Sequence, residues 1–201
     1  MKKFKLFEIS LLVGFLIAVV FSITSFAGTC EEIRGDVLRL HVLANSDSEE
    51  DQQLKLKVRD ALLRTGKNIF DGSLTRENAE ERIKEEKEIL IETAEKVIEE
   101  NGFDYDVEIT VTEEFFTTRT YENVTLPAGK YMALRVLIGE SAGKNWWCVM
   151  FPPLCIPTAQ PDINLFFTED EIKLVESDPK YEPRFKIVEI YESLKNRFDN
   201  N

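Results

Sequence analysis

Hydrophobic and polar positions divide the chain into one long apolar segment followed by shorter periodic ones. Residues 9–26 contain no charged side chain, and three lysines precede them. This length suits a membrane-spanning helix, and the same arrangement is typical of an export signal. Because Ser25-Phe26-Ala27 has the small residues that a signal peptidase reads, we predict cleavage after Ala27, with an uncleaved membrane anchor as the alternative. Either way, the lysines favour the cytoplasmic side, and the remainder is exported.

The periodic part begins with a strand and two helices. Alternation over residues 37–44 predicts a strand with Leu38, Leu40 and Val42 on its apolar face. Polar residues 45–48 form a turn rich in helix-capping side chains. Apolar residues at helical spacing then predict helices over 49–70 and 76–100.

The second half of the chain alternates in the manner of strands and ends in helices. Strands are predicted over 105–111, 115–121, 130–138 and 145–151, the last two as an antiparallel pair. Helices are predicted over 169–176 and 184–198, the latter with Phe185, Val188, Tyr191 and Leu194 on one stripe. The pattern therefore predicts a single α+β domain over residues 33–201, with helices on one face of a mainly antiparallel sheet.

Charge narrows the choice of partner. Residues 1–27 contain three lysines and one glutamate, so the formal charge of −12 for the whole chain becomes −14 for the rest. Nucleic acids and anionic membrane surfaces both need clustered Lys and Arg, so neither is a predicted partner. We expect contact with a membrane only through the first segment.

The sequence contains few residues that could form a catalytic site or a metal-binding site. His41 is the only histidine, and no Cys-x-x-Cys or His-x-x-x-His spacing gathers metal ligands, so we predict neither a metal nor a cofactor. A cysteine-dependent hydrolase acting on the cell wall is conceivable, with Cys148 or Cys155 as nucleophile and His41 as base. We favour a structural histidine that hydrogen-bonds the turn over residues 45–48.

Cys148 and Cys155 flank the stiff pair Pro152-Pro153, close enough in sequence for a disulfide in an oxidising compartment. Two buried, unbonded cysteines are the alternative, and the sequence leaves both open.

Trp146 and Trp147 are adjacent on a predicted strand, so their side chains should point to opposite faces. An exposed tryptophan beside the segment 151–154 would be a typical interaction anchor. The alternative is that the tail folds back over it.

Two segments carry a resemblance to a known family. The first is Arg39-Leu40-His41-Val42-Leu43-Ala44-Asn45-Ser46-Asp47-Ser48 with the following residues 51–60, and the second runs from Leu126-Pro127-Ala128-Gly129 through Trp146-Trp147-Cys148 to Pro152-Pro153-Leu154-Cys155. In this order, behind an export signal, they resemble the stage II sporulation protein R family.

The resemblance implies an exported signalling protein without catalytic activity of its own. Such proteins are made in the forespore and exported into the space between the two membranes. There they activate a membrane-embedded aspartic protease, which cleaves the sigma-E precursor. We therefore expect the partner to be the extracytoplasmic part of that protease. The predicted contact residues are Trp146, Trp147, Phe151, Pro152, Pro153, Leu154, His41, Asn45 and Asp47.

Overall fold

The computed structural model describes residues 2–70, 75–121, 124–155, 163–176 and 183–199. The helices are α1 (Lys2–Asp36), α2 (Glu49–Ile69), α3 (Arg76–Glu85), α4 (Lys87–Glu100), α5 (Glu169–Val175) and α6 (Pro183–Asp199), with one 3₁₀ turn at Ile163–Leu165. The strands are β1 (Leu38–Leu43), β2 (Val107–Phe116), β3 (Arg119–Tyr121), β4 (Val124–Leu126), β5 (Gly129–Ile138) and β6 (Asn145–Phe151). The predicted α+β class is confirmed.

The main sheet has the strand order β2-β5-β1-β6, and β3 pairs with β4 in a separate hairpin. β1 runs parallel to β5 and antiparallel to β6, while β2 and β5 are antiparallel. The predicted pairing of the last two strands is therefore wrong, because β1 lies between them. Leu38 and Arg39, on opposite faces of β1, are both inaccessible to solvent, and burial on both faces is typical of a central strand.

Helices cover both faces of the sheet, whereas the sequence pattern placed them on one. α2, α3 and α4 pack on the face that carries Leu38, Leu40 and Val42, as predicted. The opposite face is covered at one end by α5, α6 and the last part of α1. The sequence pattern assigned α1 to the export segment and so missed its contribution to the core.

Two helix predictions need correction. The predicted helix over residues 76–100 is broken at Glu86, which has φ −99° and ψ 18°. No side chain between Ile83 and Leu90 is buried, so packing does not oppose the break. On α6, Phe185 and Val188 are buried as predicted, but Tyr191 and Leu194 face solvent.

The first helix belongs both to an apolar span and to the domain. Residues 5–36 form a helix that is long and apolar enough to cross a membrane. No residue of its most apolar 18-residue stretch is buried. Phe26, Cys30 and Ile33 follow on one side of the same helix and are buried in the domain. Burial raises the pKa of the Cys30 thiol to about 12. The helix continues through Ala27 without interruption, and cleavage there stays a prediction.

The end of α1 is fastened to the domain by polar contacts. The Arg34 guanidinium donates to the Ala128 carbonyl at 2.8 Å and lies 3.4 Å from the Glu192 carboxylate of α6. Burial raises the pKa of Asp36 to about 6, and the carboxyls of Glu171 and Glu77 reinforce this rise.

We expect Phe26→Ala to lower the free energy of unfolding by about 3 kcal/mol, because it leaves a cavity in the core. Phe26 is only 6% exposed and packs edge-on against Phe185 at a centroid distance of 5.2 Å. Phe21→Ala is the matched control, since Phe21 lies on the same helix and is 74% exposed. Thermal unfolding of the full chain in detergent would measure both. Equal effects would contradict the packing of α1 into the domain.

We expect Asp36→Asn to raise the unfolding midpoint at pH 7 and to flatten its pH dependence. The ordinary pKa of Asp is 3.8 and the folded value is about 6, so the folded state binds more protons between these values. Stability from this group is therefore greatest below pH 3.8 and is lost as pH rises towards 6. Melting curves from pH 3.5 to 7.5 would test this range, with the exposed Glu32→Gln as control.

Candidate functional site

Two turns interlock at one end of the central strands, and we call them the paired turns: residues 45–48 after β1 and 139–144 before β6. The Asn45 side-chain oxygen accepts from the Glu140 amide at 3.0 Å, and the Asp47 carboxylate accepts from the Lys144 amide at 2.7 Å. The Ala142 amide donates to the Asn45 carbonyl, and the Gly143 amide donates to the carbonyl of Ala44, just before that turn. Asn45 and Asp47 therefore hold the turns together.

The first turn also begins α2. Ser48 caps the helix by accepting from the Asp51 amide, and the Asp51 carboxylate accepts from Asn45 and Ser46 at 2.9 and 2.5 Å. Burial acts to raise the pKa of Asp51, but the hydrogen bonds, first those from Ser46 and Asn45, hold it below its ordinary value. The acidic start of α2 is thus part of the turn structure, as well as favourable for the helix dipole.

Glycine is required where the paired turns touch. A Cβ on Gly143 would collide with the Ser46 carbonyl oxygen. Gly139 has φ +54°, a left-handed conformation that favours glycine, and its Cβ would meet the Asn45 side chain. The close backbone approach explains why the second turn contains two glycines.

His41 lies on the sheet face opposite Leu40, as predicted, but does not bond the turn over residues 45–48. Its Nδ1 is 2.6 Å from a Glu114 oxygen, and its Nε2 is 2.7 Å from the Asn145 side-chain oxygen. The other Glu114 oxygen is 3.2 Å from Arg135 Nε. The imidazole is thus held between β2 and β6, which flank the two central strands, and the predicted bond to the turn is wrong.

The structure does not bring His41 and the cysteines together as a catalytic pair. Cys148 packs on the face covered by α2, whereas the His41 ring lies beside Trp147 and Phe116 on the opposite face. Cys148 and Cys155 form a disulfide with their Cα atoms 6.2 Å apart. The Val149 amide, on the outer edge of β6, donates to the Cys155 sulfur at 3.1 Å. The bridged loop therefore folds back on the edge strand.

The two tryptophans point to opposite faces, as predicted. Trp146 is 37% exposed beneath the guanidinium of Arg59 from α2, at 4.4 Å from the ring centroid. Trp147 is half-buried on the other face, with the Arg119 guanidinium 4.1 Å from its ring centroid and the His41 ring at 5.9 Å. A single partner surface on the sheet can therefore use one of these rings, not both.

The predicted contact residues do not form one patch. Phe151 and Pro152 are buried, and Phe151 packs edge-on against Phe70 and Phe166. Pro153 and Leu154 are half-buried beyond them. The length of β6 separates this end from the paired turns by about 20 Å. Of the predicted residues, His41 and Trp147 are neighbours on one face of the sheet.

These two belong to a half-accessible region that we call the open sheet face: His41, Leu43, Arg135, Leu137, Asn145 and Trp147. The strand register places them in two adjacent rows across β5, β1 and β6. An open groove of about 470 Å³ adjoins the region, lined by His41, Glu113, Glu114, Phe115, Lys130, Trp147 and Asn196. Sequence reasoning missed Glu114 and Arg135, because their proximity to His41 depends on strand order.

Arg39 is another residue that the sequence did not single out. Its guanidinium is fully buried, donates to the Tyr121 hydroxyl at 2.6 Å and lies over the rings of Phe116 and Tyr131. Burial lowers the pKa of Arg39. The aromatic rings stabilise this cation where no carboxylate is placed against it among the described residues.

A metal centre is not formed within the described part of the chain, where no group of three or more His, Cys, Asp or Glu side chains has suitable geometry. Near His41, the two Glu114 oxygens instead contact the imidazole and Arg135.

Comparison with known proteins assigns the chain to a family. The family described as Stage II sporulation protein R matches residues 34–160. The chain belongs to this family. The matched range contains β1, both paired turns and β6, and this membership supports a role in sporulation.

A family relative shows how far the similarity extends. Stage II sporulation protein R of Bacillus subtilis (strain 168) is 36% identical over 123 residues, which are 61% of this chain and 55% of that protein. The match thus spans little more than half the relative's length. No solved structure matches the chain.

We expect Gly143→Ala to lower the free energy of unfolding by about 1–3 kcal/mol, since the added methyl group forces the paired turns apart. Gly35→Ala is the matched control, because nothing lies within 4 Å of a Cβ at that helical position. Chemical denaturation of both variants would measure the difference. If Gly143→Ala were as stable as wild type, the close approach of the two turns would be incorrect.

Proposed function

We propose that this protein is an exported signal that binds the extracytoplasmic part of a membrane-embedded aspartic protease and activates it to cleave the sigma-E precursor. Membership of the sporulation family supports the biological setting. The partner and the reaction are those that the family resemblance implies. On this proposal the chain itself carries out no chemical step.

The observation that carries the proposal is the continuity of α1. Its apolar, exposed part leads directly into buried residues of the domain, beginning at Phe26. If the helix is retained, the domain starts at the membrane surface and faces the space between the two membranes. If it is cleaved after Ala27, the domain is released into that space without Phe26 and its contact with Phe185. Both routes put the domain within reach of a membrane protease's extracytoplasmic part.

The open sheet face is the contact surface that we propose. It combines an aromatic ring, two half-buried leucines and a polar cluster, which is the mixture found at interaction hot spots and their rims. His41 is held by Glu114 and Asn145, so little side-chain entropy remains to be lost when a partner binds. Trp147 is held similarly by Arg119.

Activation by binding sets an energetic requirement. A partner shifts a protease towards its active state only by binding that state more tightly. To change the ratio of active to inactive protease from about 1:99 to about 99:1, the partner must bind the active state roughly 10⁴-fold more tightly, a difference of about 5.5 kcal/mol. A few well-packed contacts on a pre-formed surface are sufficient to supply this difference.

The proposal is tested by expressing this protein, the protease and the sigma-E precursor together in non-sporulating cells. We expect precursor cleavage only when this protein is present. We expect Trp147→Ala to reduce cleavage by roughly tenfold or more, because an aromatic hot spot contributes about 2 kcal/mol. Trp146→Ala is the matched control: it removes the same side chain from the opposite face and should retain cleavage.

Protein level and unfolding midpoint must accompany each cleavage measurement, since both tryptophans also contact arginines. A wild type that gives no cleavage would reject the proposed function. Equal loss in both tryptophan variants at equal protein level would reject the open sheet face as the contact surface. Loss of cleavage in Cys148→Ala/Cys155→Ala, with its fold intact, would favour the hydrolase alternative, because neither cysteine belongs to the open sheet face.

A further inference from the structure

The last helix presents two apolar faces, and only one of them packs against the part of the chain that the structure describes. Phe185 and Val188 are buried against the domain. Five large apolar side chains lie on the outward side with between 45% and 76% of their surface exposed: Ile187, Ile190, Tyr191, Leu194 and Phe198. We call these residues the outer stripe. An exposed apolar surface of this extent is a feature of interaction sites.

The spacing within the outer stripe is that of a helix-pairing seam. Ile187, Tyr191, Leu194 and Phe198 follow one another at intervals of four, three and four residues, which is the a/d pattern of a coiled coil. Ile190 lies beside this row and makes the apolar surface wider on one side. At 1.5 Å per residue the stripe is about 16 Å long, or three helical turns.

The contacts of α6 with α1 define its direction. Phe185 packs on Phe26, and seven residues later Glu192 reaches Arg34, which lies eight residues further along α1. The two helices therefore run parallel, and the outer stripe extends away from the apolar span in the direction of α1. Copies anchored in one membrane share this orientation, so their α6 helices are parallel to one another.

Charge also favours the approach of two copies at α6. The chain carries a net charge of −12, yet α6 has four basic and three acidic side chains. Glu192 turns inwards to Arg34, and Asp199 pairs with Lys130 at 3.1 Å. No charged residue lies within the outer stripe. This helix is thus a part of an acidic protein where like-charge repulsion is weak.

We infer that the outer stripe docks against the same stripe of a second copy, which makes the protein a parallel dimer. In-register pairing places each apolar residue of the stripe opposite its counterpart, so no unpaired charge is buried. The inference does not depend on the protease partner, because it concerns the opposite side of the domain's last helix.

Cysteine cross-linking of the full chain in detergent micelles tests the dimer. We expect Leu194→Cys to give a disulfide-linked dimer under mild oxidation, because the two thiols would face each other. Ser193→Cys is the matched control, being exposed, one residue away and outside the stripe. The native background is low, since Cys30 is buried and the other two cysteines are bonded to each other.

Leu194→Glu gives an independent measurement. We expect it to convert the dimer into a monomer by light scattering, while the helix content by circular dichroism stays at the wild-type value because Leu194 is exposed within the domain. A monomeric wild type would overturn the inference. A dimer that persists in Leu194→Glu, or that cross-links equally well through Ser193→Cys, would place the interface elsewhere, for example along the apolar part of α1.

Discussion

The hydrogen-bonded interlock of the paired turns is the constraint on which the rest of the sheet depends. β1 and β5 are parallel, so both strands finish at the same end of the sheet. The turn that follows β5 must therefore pass the turn that follows β1 before the chain reaches the position of β6. Asn45 and Asp47 accept amides from that passing turn. The crossing puts β6 beside β1, and with it Trp147 beside His41. The two segments that carry the family resemblance therefore meet in space at one structural junction.

A second constraint is that α1 joins an exposed apolar segment to the core of the domain. From Ile9 to Ser25 its side chains are uncharged and mostly exposed, whereas Phe26, Cys30, Ile33 and Arg34 are buried in the domain. A flexible linker would let the domain turn freely relative to the apolar segment. A continuous helix with buried residues at its end instead fixes the orientation of the domain relative to that segment and gives α6 a defined direction.

The two proposed surfaces differ in position and in chemical character. The open sheet face is polar at its centre, where His41 and Arg135 each lie against an oxygen of Glu114 beside a tryptophan. The outer stripe of α6 is apolar and repeats at helical spacing. Self-association through α6 would present two open sheet faces on one assembly, so that a dimeric partner could be bound at both sites.

The sequence by itself determined most of the local structure, because periodicity and capping are encoded by neighbouring residues. The strand over 37–44, the helix begun at Ser48, the opposed tryptophans and the apolar first segment all follow from spacing. Only the tertiary structure decided the position of β6 beside β1, the pairing of His41 with Glu114 and the exposure of Tyr191 and Leu194. These depend on strand order and on which helix face meets the sheet, and both result from contacts between residues far apart in the chain.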